Sequence, residues 1–169
     1  MVVTLNLKQK GDLLHSMYES RDLRSTLTTQ IIARDYLEEL ILNEFEEIQI
    51  KPSPANNRKY PLGKCYSNAA NNLGKGYEYV EGYAASKTKG FPIQHAWNRD
   101  ATGRYLDFTF SDHSDDYVYK GVVIPESLVY KVGYRNGFVW GPVLPFLTED
   151  ELETVREYNV YNKFNCIKY

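Results

Sequence analysis

Cysteine is scarce in this chain, with Cys65 and Cys166 the only two. A small secreted domain held by disulfides uses several pairs, so that architecture is excluded and both thiols are read as free. No apolar run approaches the ~20 residues that a membrane-spanning helix requires, and residues 1–10 lack the apolar core of a signal peptide. The expectation is a cytoplasmic protein that makes no membrane contact. An excess of one charge is missing too. Lys and Arg number 20 against 22 Asp and Glu, a formal net charge of −2. That balance supplies no general attraction to nucleic acid or anionic lipid, and nucleic acid is not expected as a partner. Lys51, Arg58, Lys59 and Lys64 form the one local basic group, and a solvated loop accounts for them.

What the chain has is tyrosine, 15 residues of it, in a length of 169 that fits one domain. Tyrosine suits half-buried strands and wet binding surfaces. Apolar residues at helical spacing predict helices over residues 11–24 and 28–47, the second with an apolar stripe from Ile32 to Ile48 and an acidic outer face. Residues 51–64, with Pro52, Pro54, Pro61 and Gly63, read as an ordered connector. A short helix follows from Lys64 or Cys65, capped by Gly74. Alternation then predicts strands over 77–85, 93–98, 105–110, 118–124, 128–134 and 138–144, with turns at Pro125–Glu126 and Asn136–Gly137. Thr148 and Glu151 make a capping box that starts a last helix, with Leu147 and Leu152 as its hydrophobic staple. Residues 159–169 alternate like an edge strand. Helices, then a largely antiparallel sheet, then a helix: the class is α+β. The chain is read as a single domain over residues 1–169, with an N-terminal helical layer (1–50), a chemical core (61–110) and the remaining sheet and helix (111–169).

The chemistry converges on three residues. Cys65 stands at a helix start, where free N–H groups and the helix dipole favour a thiolate. Ile93, His95 and Trp97 share one strand face, and Tyr105, Asp107 and Thr109 share a face of the next. A hairpin with its loop over residues 99–103 sets Trp97 opposite Tyr105 and His95 opposite Asp107. Opposed Cβ atoms lie about 4.5–5.5 Å apart, close enough for a carboxylate to fix the imidazole tautomer. A nucleophile needs a base, and the base an orienting group; Cys65, His95 and Asp107 supply these roles in turn.

The stretches Cys65-Tyr66-Ser67-Asn68-Ala69-Ala70, Gln94-His95-Ala96-Trp97 and Leu106-Asp107-Phe108-Thr109 resemble the core of the papain-like cysteine enzymes, closest to their transglutaminase-like branch. The resemblance covers residues 61–110. It implies a papain-like fold, a Cys65–His95–Asp107 triad, no cofactor, and acyl transfer through a thioester on Cys65. Peptidase or amidase activity, that of a thiol protease, is expected ahead of transglutaminase or deamidase activity, on a protein, peptide or small acyl substrate. The alternative is a catalytically inactive fold that acts as a protein-binding or inhibitor module. Where papain-like proteases carry an oxyanion-hole Gln, this chain has Arg58, Lys59 and Tyr60. The candidates for that hole are then the Cys65 N–H with Asn57, Tyr60 or Asn68.

Tyr66, Trp97 and Trp140 are the candidate walls of a substrate cleft. Asp112, His113, Asp115 and Asp116 lack a second His or a Cys at metal-ligand spacing and read as a polar loop, so no metal site is expected. His15 is read as structural or exposed, and Cys166 as a half-buried strand residue rather than a second nucleophile.

Overall fold

The computed structural model describes residues 47–48, 50–51, 60–88, 92–137 and 140–166; side chains at 47, 51, 149 and 161–166 are not covered. The predicted helix over 11–24, His15, Asn57, Arg58, Lys59 and all but the end of the predicted helix over 28–47 lie outside these residues. The architecture is mixed helix and strand. Four antiparallel neighbours form the body of the sheet: β6 (Tyr117–Ile124), β3 (Tyr77–Ser86), β4 (Pro92–Asp100) and β5 (Tyr105–Leu106). Two short strands flank them. β1 (Glu47–Ile48) pairs antiparallel with β6, and β2 (Ile50–Lys51) pairs parallel with β5. Glu47 and Ile48, assigned from their spacing to the end of a long helix, are therefore strand.

The strict alternation of β3, β4 and β6 sorts side chains onto two faces. One face carries Ala96, Tyr79, Tyr83, Val122 and Ile124 and packs against three helices. These are α1 (Cys65–Ala70), α2 (Glu126–Arg135) and the start of α3 (Glu149–Cys166). Ala69, Ala70, Leu128, Val129, Val132, Leu152 and Val155 are the helical contributions to that core. The other face is aromatic. Val80, Ala84, Trp97, Tyr119 and Val123 are buried there, with Tyr105, Phe110, Tyr117 and Tyr158 packed around them. α3 crosses the β6 edge between the two: Asn159 accepts from the Val123 N–H and donates to its carbonyl, standing in for a strand partner.

Three predicted strands become other things. Residues 128–134 are helix, inside α2: Leu128, Val129, Val132 and Gly133 are its buried positions, a helical rather than alternating set. Pro125 and Glu126 form the start of that helix, not a turn between strands. Residues 159–166 continue α3 instead of forming an edge strand, so Cys166 is a helical residue. Of 138–144, Trp140 to Val143 hold no strand and Leu144–Phe146 form one 3-10 turn. The capping box at α3 is present: Thr148 N–H donates to Glu151 Oε2 at 2.9 Å, and Glu151 N–H to Thr148 Oγ1 at 3.3 Å. Arg135 and Lys131 of α2 also hold Glu151.

Candidate active site

The site begins with a turn. Asp100 Oδ1 accepts from the Thr102 N–H, the Thr102 hydroxyl and the Arg104 N–H. Gly103 takes φ +82°, which an L side chain resists. This closes the β4–β5 hairpin over residues 101–103, a tighter loop than the predicted 99–103. The register moves with it: Arg99 faces Tyr105 and Asn98 faces Leu106. His95 is thus not directly opposite Asp107, and Trp97 is not opposite Tyr105; each pairing is offset by two residues. An offset of two preserves the face, where an offset of one would reverse it. His95 and Asp107 are diagonal neighbours, and His95 Nε2 lies 2.7 Å from Asp107 Oδ2.

Strand β5 ends before Asp107 because Asp107 turns the chain. Its Oδ1 accepts the N–H groups of Thr109 (2.8 Å) and Phe110 (3.1 Å), a local side-chain bond that competes with the ladder. The predicted strand over 105–110 therefore keeps only Tyr105–Leu106. Asp107 Oδ2 accepts from the Tyr119 hydroxyl at 2.9 Å as well as facing His95. Three donors and the His95 ring thus surround a fully buried carboxyl. Tyr119 reaches Asp107 from β6, two strands away from β4, because the row between is small. Gly82 faces both His95 and Gly121. A Cβ on Gly82 would stand 2.1 Å from the Lys120 carbonyl oxygen, and one on Gly121 2.5 Å from the Trp97 ring.

His95 is fixed by stacking as well. Phe110 lies parallel to its ring at 4.3 Å and 5°, and Tyr117 stacks on Phe110 at 4.3 Å. Trp97 lies beyond at 6.0 Å. Tyr119, Phe110 and Gly82 are neighbours of His95 and Asp107 that the sequence pattern did not single out. Alternation places Tyr119 on a strand face, but only the strand order reveals that the face is shared with His95.

Cys65 opens α1, a helix of six residues. The helix is fastened to the Asp107 turn by Asn68, one turn along from Cys65. Asn68 Nδ2 donates to Thr109 Oγ1 at 3.0 Å and to the Pro61 carbonyl at 2.9 Å. Asn72 Nδ2 continues the seam to Asn98 Oδ1 at 3.1 Å, and Asn98 Nδ2 returns to the Ala69 carbonyl at 3.0 Å. This buried chain of amides locks α1 along β4, where β5 has already stopped. The Cys65 side chain lies near enough to the His95 ring to raise its affinity for a proton. Since Nε2 faces Asp107, the remaining nitrogen, Nδ1, is the one left for sulfur. Burial lowers the affinity of His95 for its proton, but the bond to Asp107 and the proximity of Cys65 outweigh it, and the pKa is pushed up to about 9.

The weaker candidates separate. Both amide hydrogens of Asn68 are used by Thr109 and Pro61, which leaves none for an oxyanion. The Tyr60 hydroxyl donates to Asn72 Oδ1. Tyr66 is half-buried beside the site on the helical face, in the electrostatic reach of Cys65, Glu81 and Tyr83. Burial first, then those charges, pushes its phenol well above the ordinary range. Trp97 is 1% exposed and is a core residue of the aromatic face, so it lines no open cleft. Trp140 packs on α2, against Gly133 and Tyr130. Residues 111–116, read as a loop, form a 3-10 helix in which exposed His113 faces Asp116 at 3.5 Å.

Comparison of the chain with protein-family models, with curated proteins and with solved structures finds no match. Among the described residues, no helix is long and apolar enough to cross a membrane.

Proposed function

We propose that the protein is a cysteine-dependent acyl hydrolase or transferase with papain-like packing of α1 on the sheet. The observation that carries this reading is one contiguous relay: the Tyr119 hydroxyl and two backbone N–H groups hold Asp107, Asp107 holds His95, and His95 meets Cys65 at the start of α1. In the mechanism, sulfur and Nδ1 share one proton. The thiolate attacks the carbonyl carbon of an amide or ester, forming the C–S bond as the carbonyl π electrons move to oxygen. The Cys65 N–H, which helical geometry leaves without an i−4 partner, faces the developing oxyanion. Collapse breaks the bond to the leaving group, and the His95 proton goes to the departing amine or alkoxide. Water, or an amine, then attacks the thioester with His95 as base, and the C–S bond breaks to regenerate the thiol.

Amide hydrolysis is favoured over transfer to an amine, with peptide, protein or small acyl compounds as the substrate class and a cytoplasmic setting. A p-nitrophenyl ester tests the acyl-enzyme directly. The reading expects a burst near one equivalent of p-nitrophenol and a matching acyl mass on Cys65, both lost in Cys65→Ala. Absence of a burst and of the adduct in the wild type would favour the inactive, protein-binding alternative.

A further inference from the structure

The proposed base has a second support that the mechanism leaves unused. Phe110 lies over the His95 ring, with centroids 4.3 Å apart and planes within 5°. Tyr117 backs it on the far side at 4.3 Å and 17°, so the phenyl ring stands in the middle of a stack. The backbone beneath that ring is fixed as firmly. Asp107 meets His95 Nε2 with Oδ2, at 2.7 Å, and accepts the Phe110 N–H with Oδ1, at 3.1 Å. The Asp107 carbonyl accepts the Ser111 N–H at 2.9 Å, and the Phe110 carbonyl accepts the His113 N–H at 2.9 Å. Ser111 takes φ +49°, the one non-glycine residue with a positive φ among the described residues. An L side chain resists that conformation, and it persists where the surrounding contacts over-determine it. One carboxylate thus places both the imidazole and the ring that covers it.

We propose that Phe110 is a positioning residue of the base: its ring face, set by Asp107, holds the imidazole plane and stabilises the imidazolium over the neutral ring. The inference rests on the acyl-transfer reading above, whose base it tunes. The physical cause is the aromatic quadrupole. The face of a phenyl ring is negative and attracts a cation within about 6 Å of its centroid, more so where water is excluded. His95 is 2% exposed. The titratable groups around His95 are Asp107 at Nε2, Tyr119 of β6 donating to the same carboxylate oxygen, and Cys65 of α1. Phe110 acts across the plane of the imidazole. Packing alone would account for an apolar side chain at this position, and Leu would serve. It does not account for two rings held parallel by one carboxylate, beside a residue in the left-handed region.

The test is the pKa of His95, read from its ring protons by NMR in the wild type, Phe110→Leu and Phe110→Tyr, with iodoacetamide capture of Cys65 measured beside it. The His95 signals are identified by their loss in His95→Ala. Phe110→Leu keeps an apolar cover and removes the ring face. It should lower the His95 pKa by about half a unit or more, roughly a threefold loss of proton affinity, and slow capture of Cys65 at pH 7. Phe110→Tyr should restore both. A His95 pKa that is unchanged or raised in Phe110→Leu overturns the inference, because the ring would then serve only as cover. If that happens while capture of Cys65 still depends on His95, the acyl-transfer reading stands and this inference alone falls. If Cys65 in the wild type is captured no faster than in His95→Ala, the acyl-transfer reading fails and the positioning role with it. Should Phe110→Leu not fold, the wild type still decides. The Phe110 ring protons should titrate with the midpoint of His95, and flat Phe110 shifts across that midpoint would overturn the proposal.

Discussion

The two faces of the sheet solve opposite problems. The aromatic face holds charge and satisfies it. Asp107 has three donors and the His95 ring around it, His95 is clamped between a carboxylate and a parallel phenyl ring, and Gly82 and Gly121 let the rings close in. The helical face is mostly Ala, Leu and Val, yet it buries Glu81, which no cation among the described residues pairs. The proposed mechanism needs a rigid base that holds one tautomer, and His95 lies in the over-determined layer. The proposed nucleophile, Cys65, is 9% exposed and opens a helix of six residues tied down by amides. The proposed relay lies along the stretch of β4 that β5 leaves unpaired.

The comparison breaks most severely at Asp107. Asp107→Ala leaves a buried imidazole with no carboxylate and removes the acceptor that turns the chain at Thr109. We expect a loss of roughly 3–5 kcal/mol in urea unfolding, the usual cost of breaking a buried pair. A loss below about 1 kcal/mol would show that the aromatic face does not depend on its charge.

The helical face is sharpened by pH. Glu81 has a folded pKa of about 7, above its ordinary 4.5. Its contribution to stability is therefore full below pH 4.5 and is lost as pH rises through 7, on the order of 3 kcal/mol for the fully buried carboxyl. His95 behaves in the same sense at higher pH, with stability present below 6.5 and lost as pH rises through about 9. Unfolding measured from pH 4 to 10 should show both declines, and Glu81→Gln should erase the first while keeping the second.

Packing on the aromatic face gives the next effect. Gly121→Ala drives a methyl into the Trp97 ring, where 2.5 Å is available, and should cost roughly 2 kcal/mol by thermal unfolding. The same change at Gly141, with nothing within 4 Å of an added Cβ, should be close to neutral. A smaller effect than that of Gly121→Ala is expected for Tyr119→Phe. It removes one of two donors to Asp107 Oδ2, should cost about 1–2 kcal/mol, and should raise the His95 pKa by giving that oxygen wholly to the imidazole, as read from the ring protons by NMR.

Three strands of the body were legible because their alternation is uninterrupted: Tyr77–Ser86, Pro92–Asp100 and Tyr117–Ile124 each bury one or both faces over eight or more residues. The capping box at Thr148 was legible because it is local chemistry. Residues 128–134 misled because Val129, Tyr130, Val132 and Tyr134 favour strands by type, while burial on one helical side decided the outcome. Residues 105–110 misled because an aspartate that bonds the N–H groups two and three residues on ends a strand without a Gly or Pro to mark it. At the site, the proximity of His95 and Asp107 could be read from strand parity, and parity survives a two-residue error in register. Tyr119 and Glu81 could not be read that way, because their partners depend on which strands lie side by side and on what the 140–147 segment folds against.

The central claim is that Cys65 and His95 act as one unit. Its most direct test is the rate of iodoacetamide capture at Cys65 at pH 7 in the wild type and in His95→Ala, with Cys166 as the internal reference. The account predicts that Cys65 reacts at least about tenfold faster than Cys166 in the wild type and loses that advantage without the imidazole. Equal rates at the two cysteines, or a Cys65 rate indifferent to His95, would contradict it.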